Sequence, residues 1–276
     1  MRSLPFAGWL FFALALSLPA MAQGLVPLPN SFVVKGENQV ARAWLANPTT
    51  RYQHFVLGDQ FEAASLVVEL RNGTVLRYDL PQNLVIEDRH VRLADLDNDG
   101  KDELIVVMSS ILQGAAMAVF SVDQEITLLA QTPHIGLPSR WLNPAGIADY
   151  DGDGKLEIAL VQKPHLTKRL EFWRLAGKDL RRVAAMDGFS NHRIGSRNQL
   201  MSANFDVNND GVIDLLLPGS DRQNIKAVTL FPTPKTLKSW ALPSPVDGAF
   251  SVRGNGEKQI LNVILQNGEK HAIDLN

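Results

Sequence analysis

Short apolar runs recur along this chain between clusters of Gly, Pro, Asn and Asp, and helical spacing of apolar positions is hard to find after residue 24. The pattern predicts an all-β protein. Five runs look alike: Leu66–Leu70, Leu104–Met108, Ile158–Gln162, Leu215–Pro218 and Leu261–Leu265, with starts separated by 38, 54, 57 and 46 residues. Around the third run four strand-like segments follow one another, Gly146–Ala148, Leu156–Val161, Arg169–Arg174 and Leu180–Ala184. A recurrence near 50 residues, with about four strands per unit, is the period of propeller blades. The prediction is a single β-propeller over residues 23–276, of five blades, with room for a sixth only if weak strands hide it. Ser31–Asn47 precedes the first run and is expected to lend a strand to the last unit, closing the ring and protecting its edges.

The one long apolar stretch lies at the start. Met1–Ala22 opens with Arg2, runs through Trp9–Leu16 and ends on Ala20-Met21-Ala22, the form of a cleavable signal peptide. Ser17 and Pro19 break the run before it reaches the roughly 20 residues that a membrane span requires. The expectation is export, to the periplasm or beyond the cell, with no transmembrane span in the mature chain. The chain has no cysteine, so disulfides, thiol catalysis and cysteine-based zinc sites are excluded, and a bound metal is the remaining way to staple irregular loops. A formal charge of −2, or −3 once the segment carrying Arg2 is removed, argues against a general nucleic-acid binder.

The chemistry is concentrated in a nonapeptide that occurs three times. Residues 95–103 place Asp95, Asp97, Asp99 and Glu103 at positions 1, 3, 5 and 9; residues 149–157 place Asp149, Asp151, Asp153 and Glu157; residues 206–214 place Asp206, Asn208, Asp210 and Asp214. Position 6 is Gly100, Gly154 or Gly211. Alternate oxygen side chains in a tight turn converge on one centre, and calcium takes six to eight such ligands. Polar turns form from the same residue types for backbone reasons alone. Three copies in one register, each between apolar strands, favour calcium, and the eleven carboxylates so gathered need countercharge. An EF-hand is excluded because its twelfth position falls on Val106, Leu160 and Leu217, which are core strand residues. About three calcium ions are expected. Gly58–Glu62 and Arg253–Glu257 occupy the corresponding places in the first and last units without the alternating carboxylates, and are expected to be metal-free hairpin turns.

These three loops, each followed by a short aliphatic strand between Val91 and Pro218, resemble the FG-GAP or VCBS-type repeats of integrin-α-like β-propellers. The resemblance implies calcium in the hairpin joining the first two strands of a blade, and a scaffold rather than a particular activity.

If the acidic hairpins lie on one face, the other face gathers Arg89, His90, Arg140, Trp141, Asn143, Lys163, His165, His192, Arg193, Arg197, Asn198, Asp221 and Arg222. Such a mouth would favour an anionic group, such as an acidic carbohydrate, or a protein partner. The plainer alternative is that these residues satisfy one another and that Trp141 fills space between blades. Hydrolase and protease motifs are missing, so a binding or interaction scaffold is expected. The competing expectation is an enzyme acting on an extracellular polysaccharide, with His165, His192 and Asp221 as its acid–base candidates.

Overall fold

The computed structural model describes residues 25–254 and 258–276, and the expected signal peptide, Met1–Ala22, lies outside them. Among the described residues every regular element is a strand, and the strands form four antiparallel sheets. No helix among them is long and apolar enough to cross a membrane. In the first sheet, β1 (Val34–Lys35), β2 (Val40–Thr49), β3 (Glu62–Leu70) and β4 (Val75–Asp79) make one group. A short β5 (Leu84–Ile86) pairs with β3 and also with the next group, β6 (Arg92–Ala94), β7 (Glu103–Ser110), β8 (Gly114–Val122) and β9 (Ile126–Gln131). The second sheet is the meander β10 (Leu142–Ala148), β11 (Glu157–Gln162), β12 (Arg169–Ala176) and β13 (Asp179–Asp187). The third is β14 (Ala203–Phe205), β15 (Asp214–Pro218), β16 (Asn224–Thr229) and β17 (Lys235–Ala241), and the fourth is β18 (Ser251–Gly254), β19 (Gln259–Ile264) and β20 (Lys270–Asp274).

The five look-alike runs fall on β3, β7, β11, β15 and β19, the interior strands of successive groups. Strand alternation explains why the runs on β7, β11 and β15 are so apolar, because each of these strands faces two cores. On β7, Leu104, Val106 and Met108 join the core shared with β3, while Ile105 and Val107 join the core shared with β11. On β11, Ile158 and Leu160 face back toward β7, whereas Ala159 and Val161 face the core built with Leu215 and Leu217. Leu216 then turns to the last core, with Leu261 and Val263. Each fully buried Leu, Ile or Val contributes about 1.5–3 kcal/mol relative to exposure, so the pattern holds neighbouring groups face to face.

The expected strand exchange between the chain ends does not occur. β1 and β2 pair with each other, and β2 pairs with β3 from Val40 to Thr49. The reason is packing: Ala43 and Leu45 enter the same core as Leu66 and Val68, so the apolar face of β2 belongs to the first group. The four cores join five groups in series, and among the described residues no hydrophobic cluster joins the last group to the first.

The groups meet instead at one polar loop, residues 188–202, between β13 and β14. The Gly195 amide donates to Val56 O (2.8 Å), and Arg197 pairs with Asp59 (2.7 Å). Gln199 donates to Asp88 Oδ1 (2.9 Å) and accepts the Arg89 amide (3.1 Å). Asn143 and Asn191 exchange side-chain bonds to each other's carbonyls. Arg193 pairs with Asp247 (2.8 Å), and Leu200 O accepts the Phe250 amide (2.8 Å). Asp88 sits where the chain leaves the ladder between β5 and β6. Its carboxylate replaces the missing strand partner by accepting the Val107 amide (3.0 Å) and pairs with Arg92 (2.7 Å). Burial alone would raise this carboxyl, but Arg92, His90 and the hydrogen bonds hold it below its ordinary value.

Asp88→Ala therefore removes an acceptor from the half-buried Arg92 guanidinium, the buried Val107 amide and the buried Gln199 carboxamide. A loss of about 3–5 kcal/mol in urea unfolding is expected, whereas Arg42→Ala, which breaks an exposed pair with Glu69, costs less than about 1 kcal/mol.

Candidate metal centre

The three acidic hairpins connect the first and second strands of three successive groups: β6 to β7, β10 to β11, and β14 to β15. Their internal hydrogen bonds match position by position. The position-6 amide donates to the position-1 carboxylate, Gly100 to Asp95 (2.9 Å), Gly154 to Asp149 (2.8 Å) and Gly211 to Asp206 (2.9 Å). The position-5 amide donates to the other oxygen of the same residue at 3.0, 3.2 and 3.2 Å. The position-7 amide donates to the position-5 side chain at 2.8, 3.0 and 2.9 Å. Finally, the position-2 amide donates to the buried carboxylate at position 9: Leu96 to Glu103 (2.8 Å), Tyr150 to Glu157 (2.9 Å) and Val207 to Asp214 (2.9 Å). Glycine at position 6 is needed for φ of 83°, 85° and 86°, and a Cβ there would meet nothing within 4 Å. Position 4 is left-handed as well, in Asn98, Gly152 and Asn209, residue types that tolerate that region.

The loops hold like charges together. Asp95, Asp97 and Asp99 each offer an oxygen within 4.8 Å of the others, as do Asp149, Asp151 and Glu157. Oxygens on opposite sides of a calcium ion stand about 4.6–5.2 Å apart, so both trios fit that cation. The third loop brings no such trio together among the described residues. Its position 3 is Asn208, whose amide donates to Asp210 (2.8 Å). The carboxyls at position 9 carry the electrostatic cost. Glu103 is pushed up to about 7 by burial, with Asp97, Asp99 and Asp95 adding to it against the bond from Leu96. Burial likewise raises Glu157 and Asp214. Asp214 Oδ1 is buried without a well-formed hydrogen bond, since the nearby Thr229 hydroxyl is engaged with Phe231. A cation among these groups would relieve each of these costs.

Residues 95–160, from the first hairpin through the second and into β11, match the family model of the FG-GAP-like repeat. The chain carries an FG-GAP-like repeat. No curated protein matches its sequence. Among solved structures, the exotype rhamnogalacturonan lyase YesX aligns at 13% identity with a TM-score of 0.51, covering 91% of this chain and 58% of the lyase. The rhamnogalacturonan lyase YesW aligns at 13% identity and a TM-score of 0.49, covering 89% and 60%, and BBS1N in complex with ARL6DN at 15% and 0.45, covering 76% and 60%. The chain spans about three fifths of the length of these structures. The likeness to YesX is one of fold, and with the repeat it makes the architecture propeller-like.

On the other side of the FG-GAP-like unit, the expected basic mouth is largely consumed by the hub, the loop of residues 188–202 and its partners. Arg89 is bonded to the carbonyls of Asn30 and Arg197, Arg193 to Asp247, Arg197 to Asp59, and Arg222 to His192 O. Trp141 is buried, donates to Glu87 O (3.0 Å) and lies against His192, the space-filling role. His192 Nε2 donates to Ser196 O (2.9 Å), which leaves its Nδ1 to accept from His165 Nε2 (3.0 Å). Burial holds the two imidazoles neutral, with pKa values lowered to about 4 for His165 and about 3 for His192. Asp221 stands apart and accepts the Gln223 amide (2.9 Å). Gly58–Glu62 is no hairpin turn: it ends the long connection from β2 to β3, where Gly58 abuts Gly195 and Asp59 meets Arg197. Residues 255–257 of the other expected turn lie outside the described residues.

Beside the hub, Glu62 is buried with Oε2 unpartnered, close to Glu87, which His54 and Ser109 hold at 2.6 Å each. Burial first, and the charge of Glu87 second, push the Glu62 carboxyl up to about 8 from an ordinary value of 4.5. The folded chain therefore binds a proton that the unfolded chain releases, and stability falls as pH rises from about 4.5 to about 8. Thermal midpoints recorded across that window should decline in the wild type and decline less in Glu62→Gln.

Proposed function

We propose that this chain is an exported, calcium-stapled β-propeller of five blades that serves as an interaction module for a protein or an anionic carbohydrate. The observation that carries the reading is the matched hydrogen-bond pattern of the three hairpins, which aims their carboxylates at a common centre in at least two of them. Five strand groups joined by four cores support the blade count.

In this reading Asp95, Asp97, Asp99 and Glu103 hold the first ion, Asp149, Asp151, Asp153 and Glu157 the second, and Asp206, Asn208, Asp210 and Asp214 the third. Bound calcium supplies positive charge and fixed coordination, not a reaction. The chain's own contribution is to pre-form each turn through the glycine at position 6 and the buried carboxylate at position 9, so that little ordering remains to be done on binding. The hairpins also touch in series. Asn98 Nδ2 donates to Gly154 O (3.4 Å), and Gly152 lies against Val212 of the third hairpin. Fixing one turn therefore steadies the next, and since the hub loop fills the other mouth and engages its basic residues, a protein partner on this exposed rim is favoured over an anionic carbohydrate. A binding module is favoured over a polysaccharide enzyme because His165, His192 and Asp221 form no joint acid–base group.

Thermal unfolding in excess calcium and in EGTA tests the reading. A midpoint lowered by EGTA and restored by calcium is expected, because a ligand of the folded state alone raises stability. The calcium-dependent increment should shrink in Asp97→Ala, Asp151→Ala and Asp210→Ala. Equal midpoints in calcium and EGTA, together with unchanged behaviour of all three variants, would remove the metal from the account.

A further inference from the structure

The three hairpins share a backbone pattern but not a charge environment. On β12, Arg174 stands opposite Glu157 in the ladder and folds over the second hairpin. Its guanidinium reaches Asp151 Oδ2 (2.7 Å), Asp153 Oδ2 (2.8 Å) and Glu157 Oε1 (2.7 Å), oxygens from positions 3, 5 and 9 of one loop. Continuing the register of the other sheets places Ser121 opposite Glu103 and Thr229 opposite Asp214. Neither carries a charge. Lys101 of the first hairpin is directed to Asp123 (2.6 Å) and stands 3.8 Å from Asp99, so it pairs with one carboxylate of the loop and bridges none. Among the described residues no cation pairs with Asp206 or Asp210 of the third.

From this difference we propose that Arg174 is an internal counter-cation which makes the second hairpin the weakest calcium site of the three. The inference rests on calcium binding at the hairpins. A planar guanidinium with several donors in a fixed fork matches carboxylates well and cannot be deprotonated at ordinary pH. The oxygens it occupies are ones that the ion would need, so calcium enters the second hairpin only when Arg174 gives up bonds that the other two loops never made. The same contact gives the second hairpin a role without metal. Its carboxylates are already partly neutralised, so in calcium-poor conditions this turn carries less repulsion than its neighbours. The chain is then loaded in order, first and third hairpins before the second.

Calorimetric titration of the full chain with calcium, for the wild type and for Arg174→Met, separates the outcomes. The wild type is expected to show two tighter sites and one weaker by roughly tenfold or more, since one charge-assisted bond is worth about a factor of ten. In Arg174→Met the weak site should join the tight ones. In EGTA the variant should unfold at a lower temperature than the wild type, from repulsion among Asp151, Asp153 and Glu157, and calcium should restore it. Three sites of equal affinity in the wild type, unchanged by the substitution, would overturn the role of Arg174 and leave the calcium module standing. Loss of the second site in Arg174→Met would also overturn it, by showing that the arginine positions the ligands. Absence of calcium binding in both proteins would refute the module itself.

Discussion

Each acidic hairpin depends on one buried carboxylate. Glu103, Glu157 and Asp214 stand at the first residue of an interior strand, and each accepts the amide of position 2 across the turn. That bond closes the loop onto the core, where the next residues, Leu104, Ile158 and Leu215, are fully buried. The acid is thus held at the border between a dry core and a charged turn. Burial raises its carboxyl, and it is costly to keep ionised unless a donor or a cation compensates. In the second hairpin the compensation is partly built in as Arg174, while in the third Asp214 Oδ1 is left nearly bare. Fold and the proposed calcium binding meet at this one position.

The hub is the second constraint, and it changes where function can reside. A ring closed by sheet pairing needs little from its centre. Here the first and last groups share no apolar core among the described residues, and the loop of residues 188–202 ties the groups together with Gln199, Asn191, Arg193 and Arg197. Polar groups in such a place must be satisfied or they cost more than they contribute. Most of them are, through carbonyls and carboxylates drawn from several groups. Basic residues that would suit an anionic ligand are spent on this internal work.

The parts of this structure legible in the sequence are those written in local spacing. Runs such as Leu104–Met108 were enough to place the interior strands, because a strand facing two cores must be continuously apolar. Positions 1, 3, 5, 6 and 9 of the hairpins are visible for the same reason, and position 4, Asn or Gly in all three copies, carries a left-handed signal of its own. The pairing of β2 with β3 was not legible, since Ala43 and Leu45 would suit the core of either end group. Asp88 and Gln199, 111 residues apart, gave no local sign of their bond. Arg174 was in view as a strand residue, but only the register that sets it opposite Glu157 shows what it does. Long-range polar contacts have no period, and so pattern reading passes over them.

A crystal structure grown at saturating calcium addresses the hairpins most directly. An ion is expected in each hairpin with six to eight oxygen neighbours at about 2.3–2.6 Å, from the side chains at positions 1, 3, 5 and 9, the position-7 carbonyl and water, with Arg174 turned away from the second loop. Hairpins that hold only water, with Arg174 still on Asp151, Asp153 and Glu157, would contradict it.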